Sequence, residues 1–463
     1  MTARDLGDMS PEELREQGHR VIDWIASYLE GAERRPVLSR AAPGEVARSL
    51  PSEPPRSGQE FAEILEVFDH AILPGITHWN HPGFMAYFGI TGSGPGILGE
   101  ALAAALNVNA MLWRTSPAAT ELEEVTLDWL RQMVGLPGEF RGHIQDTAST
   151  STMVALAAAR EAASVGAREE GLAGRDLPRL VIYCSEEAHS SVDRAAITLG
   201  LGLAGVRRIP TDDWVRMRTD ALERSIAADL EAGARPIALV ATIGTTSTTS
   251  VDPVPELAEI GRRHGLWLHI DAAYAGAAAV VPELRPLFAG WEAADSLVIN
   301  PHKWLFVPID CSALFLKRPE VLRRAFAILP DYLTTPEGET VTNLMKYGPA
   351  LGRRFRALKL WMTIGYFGQE GIAARIAEHV RLARLFAGWV EGVPAWEVVA
   401  PVPFSTVCFR FAPAGLSNLE IDRLNAGILD RVNAGGEVFL SHTRLRGRMT
   451  LRLAVGNLRT EER

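Results

Sequence analysis

The rest of the chain is organised around residues 296–317, which read Ser-Leu-Val-Ile-Asn-Pro-His-Lys-Trp-Leu-Phe-Val-Pro-Ile-Asp-Cys-Ser-Ala-Leu-Phe-Leu-Lys. Two short apolar runs inside it, 297–299 and 313–316, predict buried strands. A polar turn between them contains Lys303. Because the apolar side chains that follow would partly desolvate this lysine, we expect a lowered pKa and a nucleophilic amine. The simpler interpretation is an ordinary surface lysine beside a strand.

A second strand and turn lie upstream, where residues 266–276 read Leu-Trp-Leu-His-Ile-Asp-Ala-Ala-Tyr-Ala-Gly. This places Asp271 at the end of an apolar strand, the edge at which open α/β sheets bind ligands. The small residues after it would let a flat ring lie against the backbone. A lysine and an aspartate at the strand ends of one parallel sheet suit pyridoxal phosphate (PLP), because the amine binds the aldehyde and the carboxylate keeps the ring nitrogen protonated. This spacing alone is weak evidence.

Four motifs together carry a more specific signal. They are His-Ile-Asp-Ala-Ala-Tyr-Ala-Gly at 269–276, Asn-Pro-His-Lys-Trp at 300–304, Ala-His-Ser-Ser-Val-Asp at 188–193 and Leu-Gly-Arg-Arg-Phe-Arg-Ala-Leu-Lys at 351–359. In this order they resemble the group II PLP-dependent amino-acid decarboxylases, and the aromatic L-amino-acid decarboxylases most of all. The resemblance extends from about residue 9 to the C-terminus. It implies PLP as the cofactor and a type I α/β fold, similar to that of aspartate aminotransferase.

Alternating helices and apolar strands through residues 145–317 predict a mostly parallel α/β sheet. Two predicted strands near 396–399 and 406–411, with helices around them, indicate a small α+β unit at the C-terminal end. We therefore expect three parts. They are a helical dimerisation segment at 1–93, a large PLP-binding domain at 94–358 and a small domain at 359–463.

Composition excludes several other functions. The 463 residues are 47% hydrophobic and 22% charged, which is typical of a globular protein with a large core. A net charge of −9 argues against nucleic acid or an anionic membrane as the main partner, and no apolar run is long enough to span a bilayer. The three cysteines are sparse and lack zinc spacing, and the N-terminus has no apolar signal core. We expect a cytoplasmic enzyme without a metal.

The N-terminal segment predicts a helix that needs a partner surface. Ser10, Pro11 and Glu13 form a helix start with proline at the first position, and apolar residues then recur at helical spacing. A linker at 36–57 and a second helix at 59–73 should follow. The stripe could pack on its own subunit. The resemblance favours an arm that clasps a second copy, and therefore an obligate homodimer with the active site at the subunit interface.

The resemblance assigns the cofactor contacts. It implies that the PLP phosphate binds Thr147, Ala148 and Ser149 at the start of a predicted helix at 153–163, although small hydroxyl residues there could also be a simple N-cap. It implies that Asn300 adds a donor to this phosphate. The remaining implied contacts are His189, Thr246, Asp271, Ala273, His302 and Lys303.

The resemblance also implies a substrate pocket. Trp79, Tyr87 and Phe88 match positions that line the side-chain pocket, and aromatic faces suit an aromatic ring. They could equally be core residues. Asn109 and Met111 stand where relatives have residues that reach the pocket from the partner chain, and Gly352 stands where small residues leave room for a bulky ring.

A long loop after residue 325 bears on the type of reaction. Tyr332 matches a mobile-loop tyrosine that the family links to protonation of Cα after CO₂ leaves. Phenylalanine there, or asparagine in place of His189, marks relatives that make aldehydes. Since the chain has both Tyr332 and His189, we expect simple decarboxylation of an aromatic L-amino acid (tryptophan, DOPA, tyrosine or phenylalanine) with Lys303, Asp271, His189 and Tyr332 as catalytic residues. An aldehyde synthase and a glutamate-type decarboxylase remain alternatives.

Overall fold

A seven-stranded sheet forms the centre of the protein, which we describe from a computed structural model covering residues 7–328, 333 and 335–462. The strands are β1 (Arg141–Gln145), β2 (Leu180–Ser185), β3 (Val206–Ile209), β4 (Arg235–Thr242), β5 (Trp267–Asp271), β6 (Ser296–Ile299) and β7 (Ser312–Leu316). Their order across the sheet is β1-β7-β6-β5-β4-β2-β3. Only β7 runs against its neighbours, β1 and β6; the other pairings are parallel. The predicted mostly parallel α/β sheet is confirmed.

Helices cover both faces of this sheet, which explains why its central strands are continuous apolar runs. Every residue of β2, β5, β6 and β7 is buried. The helices of the chain are α1 (Pro11–Glu30), α2 (Glu45–Ser49), α3 (Phe61–Val67), α4 (Gly94–Leu106), α5 (Pro117–Val134), α6 (Ala148–Ala162), α7 (Ala167–Glu170), α8 (Ser191–Thr198), α9 (Thr219–Glu231), α10 (Val254–His264), α11 (Pro301–Trp304), α12 (Pro319–Phe326), α13 (Ala357–Glu391) and α14 (Asn418–Gly435). None of these described helices is long and apolar enough to cross a membrane.

Register brings three strand ends to one edge of the sheet. Thr242 of β4 pairs with Asp271 of β5, and Asp271 pairs with Val298 of β6. Because these strands are parallel, the segments that leave their carboxyl ends meet at the same edge. Those segments carry most of the predicted cofactor residues.

A second sheet lies in the C-terminal part. It contains β8 (Trp396–Val398), β9 (Thr406–Phe411), β10 (Ser441–Leu445) and β11 (Arg448–Ala454), all antiparallel, in the order β10-β11-β9-β8. An apolar cluster joins it to α13 and α14. The boundary expected at 358/359 falls inside α13, and the three domain limits stay predictions.

The N-terminal arm begins as predicted, because the Ser10 side chain accepts a hydrogen bond from the Glu13 N–H and Pro11 is the first helical residue. One side of α1 packs on the chain: the Trp24 indole donates to Asp69 at 2.7 Å. The other side is open, and Leu14 is 62% exposed and Ile22 45% exposed. No residue of α1 is fully buried.

Candidate active site

Asp271 ends β5 at the edge where the strand ends meet. Its side chain is 7% exposed, and its Oδ1 accepts a hydrogen bond of 3.1 Å from the Ala273 N–H. Ala273 packs against Ala148 and Val298 in a small apolar cluster. Small apolar side chains next to a buried carboxylate suit a site that holds a ring.

Lys303 reaches the same place from the next strand. The predicted turn after β6 is a one-turn helix, α11, and it carries the lysine on its third residue. The Lys303 Nζ lies 5.3 Å from the centre of the Phe88 ring. Burial lowers the pKa of Lys303, the Asp271 carboxylate opposes that change, and the nearby Arg452 adds to it. A larger fraction of this amine is therefore neutral and nucleophilic than for a surface lysine.

His189 joins these two groups after the end of β2. Its Nδ1 accepts a hydrogen bond of 3.1 Å from the Ser191 N–H, so the neutral ring carries its proton on Nε2. Burial lowers the pKa of His189; the Asp271 carboxylate raises it and the Lys303 ammonium lowers it further. The structure thus brings Lys303, Asp271 and His189 into one electrostatic cluster.

The start of α6 fits a phosphate. The helix begins at Ala148, five residues earlier than predicted, and its N-cap residue Thr147 makes no side-chain capping bond. The free N–H groups of a first helical turn bind anions. The Thr147 N–H itself is already bonded to Asp146 Oδ1, so Ala148 and Ser149 supply the open donors of the predicted set.

A buried chain of hydrogen bonds links this helix to the lysine segment. Ser151 of α6 bonds to Ser312 at 2.8 Å, and the Ser312 hydroxyl donates to Asn300 Oδ1 at 2.6 Å. His302 Nδ1 accepts from the Cys311 N–H at 2.9 Å, so the neutral ring carries its proton on Nε2. This Nε2–H lies 3.3 Å from the Asn300 Nδ2 donor, and the two donors do not bond to each other. Burial lowers the pKa of His302 to about 4, which keeps the ring neutral. We call Lys303, Asp271, His189 and Asn300 the inner group.

The predicted aromatic residues separate into two environments. Phe88 is 9% exposed and stacks on Tyr274 at 3.8 Å between ring centres, next to Lys303. Tyr87 is 56% exposed and has a left-handed φ of 52°, unusual for an aromatic residue. Its ring stacks at 6.0 Å on Trp79. Of the three, the structure therefore brings only Phe88 to the inner group.

Asn109, Met111 and Gly352 form a separate patch, which we call the outer group. Asn109 Nδ2 lies 3.4 Å from the Met111 sulfur, and Asn109 Oδ1 accepts from the Arg353 N–H at 2.9 Å. Asn109 and Gly352 are exposed. In the described part of the chain, no hydrogen bond, ion pair or ring contact connects the outer group to Lys303 or Asp271.

Two predicted residues belong to neither group. Thr246 is exposed in the turn after β4, and Tyr332 lies outside the described residues.

Arg452 is a further buried residue of the site that was not among the predicted residues. It is 3% exposed and lies with its Cζ 4.6 Å from the Phe88 ring centre. Its Nε donates to the Ser247 carbonyl at 2.9 Å and its Nη1 to the Tyr87 carbonyl, while its Nη2 has no hydrogen-bond partner among the described residues. A charged residue in the middle of the apolar strand β11 was the available signal, since such a residue needs a buried partner.

The α/β fold and the residues at this edge of its sheet are those of a PLP-dependent enzyme. The uncapped start of α6, the partly desolvated Lys303 and the buried Asp271 fit the phosphate, the aldehyde and the ring nitrogen of that cofactor. The comparison with known proteins goes further. Residues 43–412 match the pyridoxal-dependent decarboxylase conserved domain.

Full-length relatives agree with that match. The chain is 39% identical to tryptophan decarboxylase 2 of Oryza sativa over 99% of its length and 93% of the relative's, and 39% identical to phenylacetaldehyde synthase of Arabidopsis thaliana over 99% and 94%. The crystal structure of Oryza sativa TDC with PLP and tryptamine superposes with a TM-score of 0.95 at 35% identity, covering 98% of this chain and 96% of that one. The chain belongs to the pyridoxal-dependent decarboxylase family and is a PLP-dependent carboxy-lyase of fold type I.

Proposed function

We propose that this enzyme converts an aromatic L-amino acid to the aromatic amine and CO₂. The observation that carries the proposal is the convergence of Lys303, Asp271 and His189 at one sheet edge, with the Phe88 ring beside the lysine amine. The relatives support the substrate class, because they include a tryptophan decarboxylase and tyrosine decarboxylases. Tryptophan, tyrosine, DOPA and phenylalanine are the candidate substrates.

The inner group would hold the cofactor. Lys303 would bind the aldehyde carbon, Asp271 the ring nitrogen, and Ala148, Ser149 and Asn300 the phosphate. Bound PLP supplies an electron sink for the pair of electrons that the departing carboxylate leaves on Cα. Asp271 would keep the ring nitrogen protonated, since a buried carboxylate next to a ring N–H favours the charged pair.

His189 and Tyr332 would deliver the proton that Cα needs after CO₂ leaves. The neutral His189 ring carries its proton on Nε2, because Nδ1 already accepts the Ser191 N–H. General acid catalysis of this kind requires a donor in reach of the reacting atom. The role of Tyr332 rests on the sequence resemblance alone.

Arg452 would orient the carboxylate of the substrate. It is a buried cation beside Lys303 and Phe88, and its Nη2 has no hydrogen-bond partner in the described part of the chain. A buried unpaired N–H of a guanidinium is costly, so an anionic ligand at this point gains a charge-assisted hydrogen bond.

A panel assay tests the proposal. Purified holoenzyme is incubated with tryptophan, tyrosine, phenylalanine, DOPA and glutamate, and the amine and CO₂ formed are measured. We expect stoichiometric amine and CO₂ from at least one aromatic substrate and none from glutamate. Activity on glutamate alone would overturn the proposal.

The aldehyde synthase alternative is supported by the relative from Arabidopsis thaliana named phenylacetaldehyde synthase. That reaction consumes O₂ and water and yields aldehyde, CO₂, ammonia and hydrogen peroxide. The same assay therefore includes peroxide and ammonia detection. Equal yields of CO₂, ammonia and peroxide with no amine would establish the alternative.

The active enzyme is proposed to be a cytoplasmic homodimer. The exposed apolar side of α1, with Leu14 and Ile22, supports the dimer. The three cysteines are free and buried, which suits a reducing compartment. The double variant Leu14→Glu and Ile22→Glu should shift sedimentation from dimer to monomer, whereas Arg20→Ala, on the exposed polar side of the same helix, should not. An unchanged dimer in the double variant would contradict this role of α1.

A further inference from the structure

A buried histidine lies beneath Asp271 and has no place in the mechanism above. His269 is two residues before Asp271 on β5, so both side chains point to the same face of the sheet. Trp267, on that same face, belongs to the apolar cluster that contains α6, whereas Leu268 and Ile270 belong to the core on the other side. His269 therefore lies between the sheet and α6, in the interior behind the cofactor site. It is fully buried.

Its hydrogen bonds fix which ring nitrogen carries the proton. The Trp267 indole, which can only donate, gives its N–H to the Ser296 hydroxyl oxygen at 2.8 Å. The Ser296 Oγ lies 2.9 Å from His269 Nδ1, directly across the strand pair. Because no other side chain among the described residues accepts the Ser296 hydroxyl proton, we assign that proton to Nδ1. The neutral ring then carries its proton on Nε2.

That Nε2–H is a buried donor with no hydrogen-bond partner in the described part of the chain. The anionic group on the same face is the Asp271 carboxylate, which interacts electrostatically with the ring. Among the described residues, this carboxylate accepts only the Ala273 N–H, on Oδ1, which leaves Oδ2 open. An unpaired buried donor is costly unless it faces a charge that it complements.

We propose that His269 is a positioning residue for Asp271, with its Nε2–H directed at the carboxylate from the interior of the sheet. This N–H dipole keeps the carboxylate ionised and turned toward the cofactor site. Ser296 and Trp267 take part by holding the ring in the required tautomer. The proposal rests on the role proposed above for Asp271.

Cofactor affinity tests this without relying on turnover. The dissociation constant for PLP is measured by absorbance titration of the apo forms of the parent, His269→Leu, Asp271→Asn and the double variant. The N–H dipole faces the carboxylate without a hydrogen bond, so its loss should cost about a 10-fold change in affinity, equivalent to one pKa unit of differential interaction. We expect His269→Leu to weaken PLP binding by about that factor in the parent and by less than about 2-fold when Asp271 is already asparagine.

Two further variants separate positioning from packing. His269→Gln retains an N–H donor and should recover most of the affinity. Ser296→Ala leaves the ring in place but removes the group that fixes its tautomer, so it should weaken PLP binding only when Asp271 is present. If His269→Leu does not fold, Ser296→Ala provides the same test of the proposal.

The outcomes are distinct. The same loss of affinity from His269→Leu with and without Asp271 would overturn the proposal and make His269 a packing residue. If Asp271→Asn alone left PLP binding unchanged, the proposed role of Asp271 would fail, and the role of His269 with it. Amine formation by the parent protein tests the proposed reaction separately.

Discussion

The inner group and the outer group differ in burial and in the hydrogen bonds that hold them within one chain. Asn300 of the inner group is held by a buried hydrogen-bond chain, and Asp271 is 7% exposed. In the outer group, Asn109 and Gly352 are open to solvent. One chain thus buries the proposed catalytic residues and leaves the predicted substrate residues of the outer group exposed. We proposed above that the active enzyme is a homodimer, and in that proposal a second copy of the chain would cover the outer group.

Removing the lysine gives the largest expected effect on the inner group. Lys303→Ala deletes the amine that binds the cofactor aldehyde, so amine and CO₂ formation should fall by at least about 1,000-fold. The visible absorbance of the bound cofactor should also be lost, while circular dichroism stays that of a folded protein. Lys317→Ala is the matched control, because that lysine pairs with Glu139 at the far end of β7. Retained turnover in Lys303→Ala would contradict the proposed mechanism.

Combining two impaired variants tests whether the inner group and the outer group of one site come from different chains. Gly352→Phe should fill the pocket and lower activity by about 10- to 100-fold, and a Cβ at this exposed position meets only Asn109 Nδ2 at an ordinary 3.8 Å. If the two groups of one site come from different subunits, a mixed dimer of Gly352→Phe and Lys303→Ala has one intact site.

Co-expression of the two variants with different tags should therefore restore about a quarter of the parent activity. Separately expressed variants mixed only at the assay are the control. Absence of any recovery in isolated mixed dimers would place both groups in the same chain's site.

The inner group was largely predictable because it depends on local sequence. Continuous apolar runs marked β5, β6 and β7, and strand ends in a parallel sheet converge wherever the chain goes next. Asp271 does end β5, and Lys303 does follow β6, while their roles stay predictions. The start of α6 was predicted five residues late, since Ser and Thr have weak intrinsic helix propensity and yet are well suited to a first turn.

Arg452 was not predictable in the same way. Its partners are the carbonyls of Ser247 and Tyr87, which are separated from it by 205 and 365 residues. No local sequence pattern indicates a contact between residues so far apart in the chain. The outer group was assigned through the family resemblance, and its role in the substrate pocket stays a prediction.

The substitution Arg452→Met should have the next largest effect on catalysis. Loss of the guanidinium should raise the KM for the amino acid by about 10- to 100-fold, because the carboxylate loses a charge-assisted hydrogen bond. The aromatic amine product has no carboxylate, so its inhibition constant should change by less than about 3-fold. Arg452→Lys should recover part of the loss. Equal weakening of amino acid and amine would instead assign Arg452 to the support of Tyr87 and Phe88.

The smallest expected effect concerns a buried histidine of β1. His143 on β1 is 6% exposed and stacks on Tyr347 at 4.2 Å, and neither of its ring nitrogens has a hydrogen-bond partner in the described structure. Burial lowers the pKa of His143 to about 3. The folded protein therefore keeps the ring neutral, while the unfolded chain protonates it below its ordinary pKa of about 6.5.

His143 must then reduce stability as the pH falls from about 6.5 toward 3, because the unfolded state binds the extra proton. His143→Phe retains the stack on Tyr347 and removes both unpaired nitrogens. We expect it to raise the free energy of unfolding by about 1 kcal/mol at neutral pH and to flatten the decline of the melting temperature on acidification. An unchanged slope between pH 6.5 and 4 would show that His143 finds a partner or a proton in the folded state. Among the described residues, no hydrogen bond or ring contact joins His143 to the inner group, so KM should be the same in the parent and in His143→Phe. A change in KM would connect this part of the core to the pocket.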